Sequence, residues 1–350
     1  MHLHTHLGIS VKKVIISDPT LRDGNHAIKH QLTPAQVANY CKAIDKSGIP
    51  IVEVGHGNGI GASSIQVGLS KYSDFALLEA ARHNLKHAKL CIHCIPGFAT
   101  INKHIKQALE LGVDIVRCAS HCTEADITRK HITFVREQGK EAFGVLMMAH
   151  MAPVDTLVNE AHKMESYGAN AIIIMDSAGS FLPDKIEKLF TALCDSLTIP
   201  VGYHGHNNLG MGVGNSIVAA QAGATIFDGT ARGFGPGAGN TQLEILIPVL
   251  DKLGYFTGVD LYRLLDAVDV AEKEILKTVP TVNPLNIISG LSGVFSGFTT
   301  HVERVSKQYD VDPRDVFFRL GERGIVAGQE DMIIEEAVKL FHEKRGERCV

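Results

Sequence analysis

Short apolar segments alternate with longer amphipathic segments along most of the chain. Eight apolar runs, most of them rich in valine and isoleucine, occupy residues 14–17, 51–54, 90–95, 115–118, 143–148, 171–175, 201–204 and 225–227. Most of the runs are apolar on both faces, as expected for strands buried in a parallel sheet. The segments between them carry helix signals: Thr33-Pro34 can begin a helix, and Gly48 and Gly112 follow helical patterns where a positive φ is favourable. The pattern therefore predicts a series of strand–helix units.

Eight strand–helix units in succession are typical of a (β/α)8 TIM barrel, an α/β fold that takes about 250 residues. A doubly wound open sheet is the alternative, but it usually carries a GxGxxG turn after the first strand. Here the first run leads into the sequence DPTLRDG at residues 18–24 instead. After about Gly258 the pattern is helical, without further strands. We predict an N-terminal tail at 1–12, a TIM-barrel catalytic domain at 13–258 and a smaller helical C-terminal domain at 259–345.

The composition excludes several functional classes. The 350 residues are 45% hydrophobic and carry a formal net charge of −4, with acidic and basic residues mixed along the chain. No long basic stripe or membrane-length apolar stretch occurs, so neither nucleic acid nor a membrane is an expected partner. The N-terminus lacks the features of a secretory signal, and the 7 cysteines are too irregularly spaced for a disulfide framework. We therefore expect a cytoplasmic protein. His2, His4 and His6 could bind a metal, although a disordered tail is the favoured interpretation.

Polar and ionisable residues follow several of the predicted strands, at the rim where TIM barrels carry their active sites. The most specific pattern is His204-Gly205-His206 after the seventh run, because residues two apart on a strand face the same side. The barrel closes between its last and first strands, so Asp23 can complete a set of two histidines and one carboxylate. Such a set leaves about three coordination positions open and suits Mn²⁺, Mg²⁺, Co²⁺ or Fe²⁺ better than a closed zinc site. We predict a metal site of Asp23, His204 and His206.

Two residues near Asp23 are candidates for catalysis. The permanently charged guanidinium of Arg22 can hold a carboxylate and stabilise a developing enolate oxygen. A salt bridge to an acid on a neighbouring strand end is the alternative for Arg22. His26 lies three residues after Asp23, where a neutral imidazole can move a proton. An ordinary loop histidine is the alternative there.

The motifs resemble a known family of barrel enzymes. TLRDG at 20–24 and HGHNNLG at 204–210 are similar to the family that includes hydroxymethylglutaryl-CoA lyase and the isopropylmalate synthases. Five further motifs narrow the resemblance to the 4-hydroxy-2-oxovalerate aldolases: HGNG at 56–59, ASHCTEAD at 119–126, LMMAHM at 146–151, MESYGA at 164–169 and GQEDMI at 328–333. The similarity extends over nearly the whole chain and includes the helical C-terminal part.

The resemblance implies a class II aldolase, a carbon–carbon lyase that depends on a divalent metal. It would cleave 4-hydroxy-2-oxoacids, such as 4-hydroxy-2-oxovalerate, to pyruvate and an aldehyde in the meta-cleavage degradation of aromatic compounds. Asp23, His204 and His206 match the family's metal ligands, with Mn²⁺ as the expected ion and Mg²⁺ or Co²⁺ as alternatives. Asp23 and His204 would also contact substrate. The helical C-terminal domain resembles the part that docks an acylating acetaldehyde dehydrogenase, in a heterodimer or heterotetramer.

The resemblance also implies roles for residues outside the metal site. Arg22 matches the arginine that stabilises the pyruvate enolate, and His26 matches the base that takes the 4-hydroxyl proton. Ser177 matches a serine that contacts substrate. Phe295 stands where the family has a tyrosine that lines the active site, and the loss of that hydroxyl removes a hydrogen-bond donor.

Two other interpretations stay open. Because of Phe295, the chain could be a related pyruvate aldolase with a different aldehyde or a biosynthetic role. In a different functional class, it could be a weakly active partner subunit of an acylating aldehyde dehydrogenase. Turnover by the isolated chain would separate the second interpretation from the aldolases.

Overall fold

The computed structural model describes residues 12–326 and 328–346. Apart from Lys12, the predicted N-terminal tail and its three histidines lie outside the described residues. Within the described residues, the thirteen α-helices contain no stretch that is long and apolar enough to cross a membrane. The six cysteines in the described part of the chain are free thiols.

A closed barrel of parallel strands forms the larger part of the molecule, which confirms the predicted fold class. Its strands follow one another around the barrel in chain order: β2 (Ile15–Leu21), β3 (Ile51–Val54), β4 (Lys89–Cys94), β5 (Ile115–His121), β6 (Glu141–Met147), β7 (Ala171–Asp176), β8 (Val201–Gly205) and β9 (Ile226–Asp228). The barrel closes where β9 pairs with β2. Two short strands, β1 (Lys12–Lys13) and β10 (Tyr255–Phe256), pair with each other outside the barrel.

Nine helices of the described chain connect and surround the strands. They are α1 (Pro34–Ile44), α2 (Asp74–Asn84), α3 (Lys106–Glu110), α4 (Arg129–Glu137), α5 (Val154–Ser166), α6 (Pro183–Ser196), α7 (Gly212–Gln221), α8 (Leu243–Lys252) and α9 (Leu261–Glu274). Helices α1, α2 and α9 begin at a side-chain N-cap. At the start of α1, the Thr33 side chain accepts from the Gln36 backbone, and the Gln36 side chain reciprocates at Thr33. Gly48 follows in the left-handed conformation, with a φ of 83°.

The last four helices pack around a second, smaller core. They are α10 (Pro284–Ser292), α11 (Thr299–Tyr309), α12 (Pro313–Arg323) and α13 (Asp331–Lys344). Val302, Phe317 and Ile333 are fully buried in this core. Helix α9 belongs instead to the barrel, because Leu264 and Ala271 are buried in the barrel's main cluster. The second core therefore begins with α10, later than the predicted boundary at residue 259, and the division into functional domains stays a prediction.

The inside of the barrel is apolar at one level and charged at the next. The apolar level includes Ile51, Ile115, Phe143, Ala171 and Ile226. Residues two positions further along three of these strands are Glu53, Arg117 and Asp228, which face the same interior because side chains alternate along a strand. The carboxyl-terminal end of the barrel therefore contains buried charge, directly below the loops.

Candidate active site

The three predicted metal ligands meet at the carboxyl-terminal mouth of the barrel. His204 lies on β8, His206 directly follows this strand, and Asp23 begins a single 3₁₀ turn after β2. One ligand atom from each residue lies within 4.8 Å of the others, and all three residues are buried. The two imidazole centroids are 5.2 Å apart. The distance from His206 Nε2 to Asp23 Oδ2 is 3.9 Å.

The donor atoms of this set are suited to a cation. His204 Nε2 and His206 Nδ1 are buried and have no hydrogen-bond partner among the described residues. Unpaired buried nitrogens are costly unless a ligand satisfies them. Two imidazole nitrogens and a carboxylate oxygen form an N/O set without sulfur, which divalent ions such as Mn²⁺ accept. The residues present therefore fit a metal site.

Asp228 fixes the orientation of His204. Its Oδ2 lies 2.9 Å from His204 Nδ1, so this carboxylate accepts a hydrogen bond from Nδ1–H. The imidazole lone pair is then on Nε2. The Arg117 guanidinium donates to both oxygens of Asp228, at 2.5 Å and 2.7 Å. Burial raises the pKa of Asp228, but Arg117 and His204 outweigh burial and hold the pKa well below its usual range.

Glu53 extends the contact between Arg117 and Asp228 into a continuous buried chain of charges. Its Oε2 lies 3.2 Å from Arg117 Nε, and its Oε1 accepts a hydrogen bond from Arg22 Nε. Arg22 in turn donates to Asp23 through Nη1. The chain of charges therefore runs from Arg22, beside the predicted ligand Asp23, to Asp228, beside the predicted ligand His204. The two arginines and three carboxylates, all at most 5% exposed, leave one net negative charge.

Asn240 ends a glycine-rich loop at residues 233–240 and binds the second oxygen of Asp23. Its Nδ2 donates to Asp23 Oδ2 at 2.7 Å and to the Phe234 carbonyl at 3.1 Å. The loop approaches this closely because residue 235 is glycine: a Cβ there would lie 2.2 Å from Asn240 Nδ2 and 3.1 Å from Asp23 Oδ2. The glycine-rich loop thus helps to orient the carboxylate ligand.

Arg22 and His26 lie near the three predicted metal ligands. Arg22 makes the salt bridge considered as its alternative role, but its Nη2 is buried and has no hydrogen-bond partner within residues 12–326 and 328–346. His26 is partly exposed at the rim of the barrel. Removal from water, reinforced by the Arg22 charge, lowers the pKa of His26 to about 4 although Asp23 acts in the opposite direction. A neutral imidazole and a free guanidinium N–H therefore border the candidate metal site.

The hydrogen bond of Ser177 and the ring contact of Phe295 are with residues other than the predicted metal ligands. Ser177 follows β7, and its Oγ accepts a hydrogen bond from the Met148 backbone at 2.9 Å. Phe295 is partly buried and packs edge-on against Phe298, with centroids 6.0 Å apart. Its neighbour Ser296 accepts a hydrogen bond of 2.5 Å from Asn208, two residues after His206. No hydrogen bond joins Ser177 or Phe295 to the metal ligands among the described residues, and their substrate roles stay predictions.

Comparison with known proteins identifies the family of this chain. Residues 13–271 match the HMGL-like family, and residues 280–342 match the DmpG-like communication domain. This chain belongs to the HMGL-like family. Its relatives in that family include a 4-hydroxy-2-oxovalerate aldolase of Pectobacterium atrosepticum, 58% identical over 97% of this chain and 98% of the relative. A 4-hydroxy-2-oxovalerate aldolase of Spirochaeta aurantia is also 58% identical, over 96% of this chain and 98% of the relative.

Solved structures share the barrel fold. The N-terminal domain of a putative aldolase from Bacteroides vulgatus superposes with a TM-score of 0.72 at 24% identity, covering 85% of this chain and 98% of that one. The carboxyl transferase domain of Rhizobium etli pyruvate carboxylase superposes with a TM-score of 0.77 at 15% identity, covering 96% of this chain and 61% of that one. At these identities the likeness concerns the fold alone.

Several buried polar residues of this HMGL-like site received no role from the sequence. Glu53, Arg117 and Asp228 were visible only as charged residues within or at the end of apolar strands. His93, inside the third apolar run, pairs in register with Arg117, and its Nδ1 is buried with no hydrogen-bond partner in the part of the chain that the structure describes. Burial and the nearby Arg22 charge lower the pKa of His93 to about 3. The sequence signal for these residues was a charged or imidazole side chain within or at the end of an otherwise apolar run.

Proposed function

We propose that this chain is a divalent-metal-dependent aldolase that cleaves 4-hydroxy-2-oxoacids, 4-hydroxy-2-oxovalerate among them, to pyruvate and an aldehyde. The observation that carries the proposal is the convergence of three groups at the barrel mouth. Asp23, His204 and His206 can hold a cation, Arg22 presents an unpaired N–H, and His26 offers a neutral imidazole. Together these groups can bind an oxoacid, stabilise an oxyanion and accept a proton.

Asp23, His204 and His206 would hold the cation, which we propose to be Mn²⁺, with Mg²⁺ or Co²⁺ as alternatives. When bound, the cation supplies a Lewis acid for the carbonyl oxygen of the oxoacid. The net charge of the site favours binding of a divalent cation together with a monoanionic oxoacid. The buried chain of charges carries one net negative charge, so the cation and the oxoacid together make the filled site neutral.

Arg22 would bind the oxygen on which negative charge develops. Burial disfavours a charged guanidinium, but Glu53 and Asp23 outweigh burial and raise the pKa of Arg22. The charge on Arg22 is therefore retained, and its Nη2 can donate to the substrate while Nε and Nη1 remain bound to protein. Donors that are already oriented lose little energy in reorganising when the transition state forms.

His26 would begin the cleavage by taking the 4-hydroxyl proton onto its ring. As the oxygen becomes an aldehyde carbonyl, the C3–C4 bond breaks and its electron pair forms the enolate of pyruvate. Protonation of that enolate at C3 completes pyruvate. In the reverse direction the same groups would join pyruvate and an aldehyde, because the steps are identical in reverse order.

The C-terminal helices support a protein partner for this activity. Residues 280–342 match the DmpG-like communication domain, and they include α10 to α12. We propose that this part docks an acylating acetaldehyde dehydrogenase, which would consume the aldehyde. The pathway would be meta-cleavage degradation of aromatic compounds in the cytoplasm.

The experiment is pyruvate release by the purified chain from 4-hydroxy-2-oxovalerate and its longer homologues, with Mn²⁺ added after chelation. We expect metal-dependent turnover, and we expect His204→Ala to lose both Mn²⁺ binding and turnover. His301→Ala, at an exposed histidine of α11, is the matched control. Absence of pyruvate with every substrate and metal would contradict the proposal. In that case, capture of a dehydrogenase by the inactive chain would favour the partner-subunit interpretation.

Phe295 favours a second candidate within the same reaction class. A phenyl ring gives this position no hydrogen-bond donor, so the aldehyde half of the substrate could be less polar or longer. Condensation of pyruvate with aldehydes of increasing length measures this directly. A clear preference for a longer aldehyde over acetaldehyde would replace 4-hydroxy-2-oxovalerate as the proposed substrate.

A further inference from the structure

Three histidines form an aromatic cluster beside the candidate metal site. The rings of His30 and His56 stack with centroids 3.6 Å apart and an interplanar angle of 18°. The ring of His26 meets His30 edge-on, at 5.1 Å and 69°. His26 comes from the turn after β2, whereas His56 lies in the loop after β3, two residues past the strand. The cluster therefore connects two loops: the loop after β2, which carries Arg22 and His26, and the loop after β3, which carries Gly57.

The backbone of Gly57 lies between this cluster and the candidate catalytic residues. Its N–H donates to His30 Nδ1 at 3.3 Å. Its carbonyl accepts a hydrogen bond of 3.3 Å from Arg22 Nη1 and also interacts with the ring of His26. The backbone packs directly on that ring, since a Cβ at residue 57 would lie 2.5 Å from His26 Cδ2 and Nε2. Residue 57 thus contacts both Arg22 and His26, while His30 holds its N–H.

The hydrogen bonds define the state of both stacked rings. His56 Nδ1 accepts from the Asn58 backbone at 3.1 Å, and His56 Nε2 lies 3.0 Å from the Gly68 carbonyl, to which it donates. His30 Nδ1 likewise accepts a hydrogen bond, from the Gly57 N–H, and the His30 ring also hydrogen-bonds to the Val67 backbone. Each ring is therefore neutral with its proton on Nε2. Protonation of both Nδ1 atoms would break two backbone hydrogen bonds and place two cations in a stack.

The backbone at His30 is held in an uncommon conformation. Lys29 and His30 have φ values of 54° and 58°, two consecutive non-glycine residues in the left-handed region. A left-handed residue costs roughly 1–2 kcal/mol, and such positions persist where the surrounding structure requires them. The side chain of Lys29 is exposed, whereas His30 is 6% exposed and packs on His26 and His56. The conformation therefore places one buried ring under His26.

We propose that His30, supported by the stacked ring of His56, is a positioning residue that fixes the Gly57 peptide and thereby orients both His26 and Arg22. The proposal rests on the proposed function in one respect, the role of His26 as the base. It goes beyond the metal ligands and catalytic groups, because His30 itself would touch neither substrate nor cation.

The test compares three variants that share a tolerance for positive φ. His30→Gly removes the acceptor without backbone strain, and His30→Asn keeps an acceptor oxygen at a position that asparagine also tolerates. Lys29→Gly makes the same backbone change at the neighbouring exposed residue. We expect His30→Gly to lower kcat by about 10- to 100-fold, as for a misplaced catalytic group, with KM and Mn²⁺ affinity within about threefold. His30→Asn should recover most of the turnover, and Lys29→Gly should match the unmodified protein.

A second measurement does not depend on aldolase activity. Long-range ¹⁵N–¹H NMR spectra report the tautomer and surroundings of each histidine ring. We expect the His26 tautomer to change in His30→Gly but neither in His30→Asn nor in Lys29→Gly; loss of the His30 ring current shifts the His26 signals in both His30 variants, so the tautomer is the readout. Wild-type turnover or an unchanged His26 tautomer in His30→Gly would overturn the proposal, as would equal losses of turnover in the glycine and asparagine variants. If the unmodified chain releases no pyruvate, the proposed function fails, and the NMR comparison alone decides the role of His30.

Discussion

Replacing Asp228 by asparagine tests the contact between the buried charge chain and the candidate metal site. The carboxylate accepts from His204 at 2.9 Å and from Arg117 at 2.5 Å and 2.7 Å. An asparagine has only one acceptor oxygen, and its NH₂ group would oppose the donors of Arg117. The amide oxygen should therefore face Arg117, leaving the NH₂ group to face His204. That arrangement favours a proton on His204 Nε2, the atom for which the described residues provide no hydrogen-bond partner.

The expected magnitudes follow from these contacts. Loss of a carboxylate that orients a metal-binding histidine typically lowers metal affinity about 10- to 100-fold, equivalent to about 1.4–2.7 kcal/mol. Arg117 also loses one of its two anionic partners while fully buried, and an unbalanced buried ion pair costs about 3–5 kcal/mol of stability. We therefore expect Asp228→Asn to weaken Mn²⁺ binding in the folded protein and to lower the free energy of unfolding of the metal-free protein.

The assay for Asp228→Asn is titration with Mn²⁺, with free Mn²⁺ measured by electron paramagnetic resonance, together with denaturant unfolding of the metal-free protein. Asp266→Asn is the control, because it removes the same charge from an exposed pair 3.7 Å from Arg263. Such an exposed pair contributes at most about 1 kcal/mol and lies outside the site. Unchanged Mn²⁺ affinity in folded Asp228→Asn would refute the argument that Asp228 controls the His204 tautomer.

Three further predictions concern the residues around the barrel mouth. Gly57→Ala places a Cβ 2.5 Å from the His26 ring and should reduce kcat by about 100-fold with Mn²⁺ binding intact, whereas Gly214→Ala, where a Cβ meets nothing within 4 Å, should leave kcat unchanged. Because burial and Arg22 lower the pKa of His26 to about 4, its base form persists above that pH. A plot of kcat/KM should therefore be flat from about pH 8 to 5 and fall only on further acidification, and an acid limb near 6.5 would contradict this. Phe295→Tyr adds one hydroxyl, worth about 0.5–1.5 kcal/mol, and should change the ratio of kcat/KM between short and long aldehydes two- to tenfold; an unchanged ratio would remove the reason to expect another substrate.

The predicted barrel and metal cluster depended on patterns that are local or fixed by topology. His204 and His206 are two apart at the end of a strand, and barrel closure brings Asp23 to them from the first strand. Their convergence could therefore be predicted from spacing and strand order alone. Their roles in catalysis remain predictions, which the experiments above address.

The charge chain could not be predicted in the same way because it crosses the barrel interior. Arg117 on β5 reaches Asp228 on β9, which is 111 positions away and not on an adjacent strand. That contact depends on how far each strand is shifted along the barrel axis relative to the others, which the sequence pattern does not specify. The His30–His56 stack likewise depends on the exact paths of two loops. For α9, the pattern showed a buried face without showing that the barrel would cover it.

Closure of the barrel between its first and last strands would make binding of the proposed cation a late event in folding. Asp23 directly follows the first barrel strand, and its partner Asn240 is 217 positions further along the chain. During synthesis, the ribosome must therefore release most of the barrel before all three ligands and Asn240 can assemble. Partly folded chains that lack β8 and β9 would be unable to retain the cation, so tight Mn²⁺ binding would distinguish completed barrels from incomplete ones.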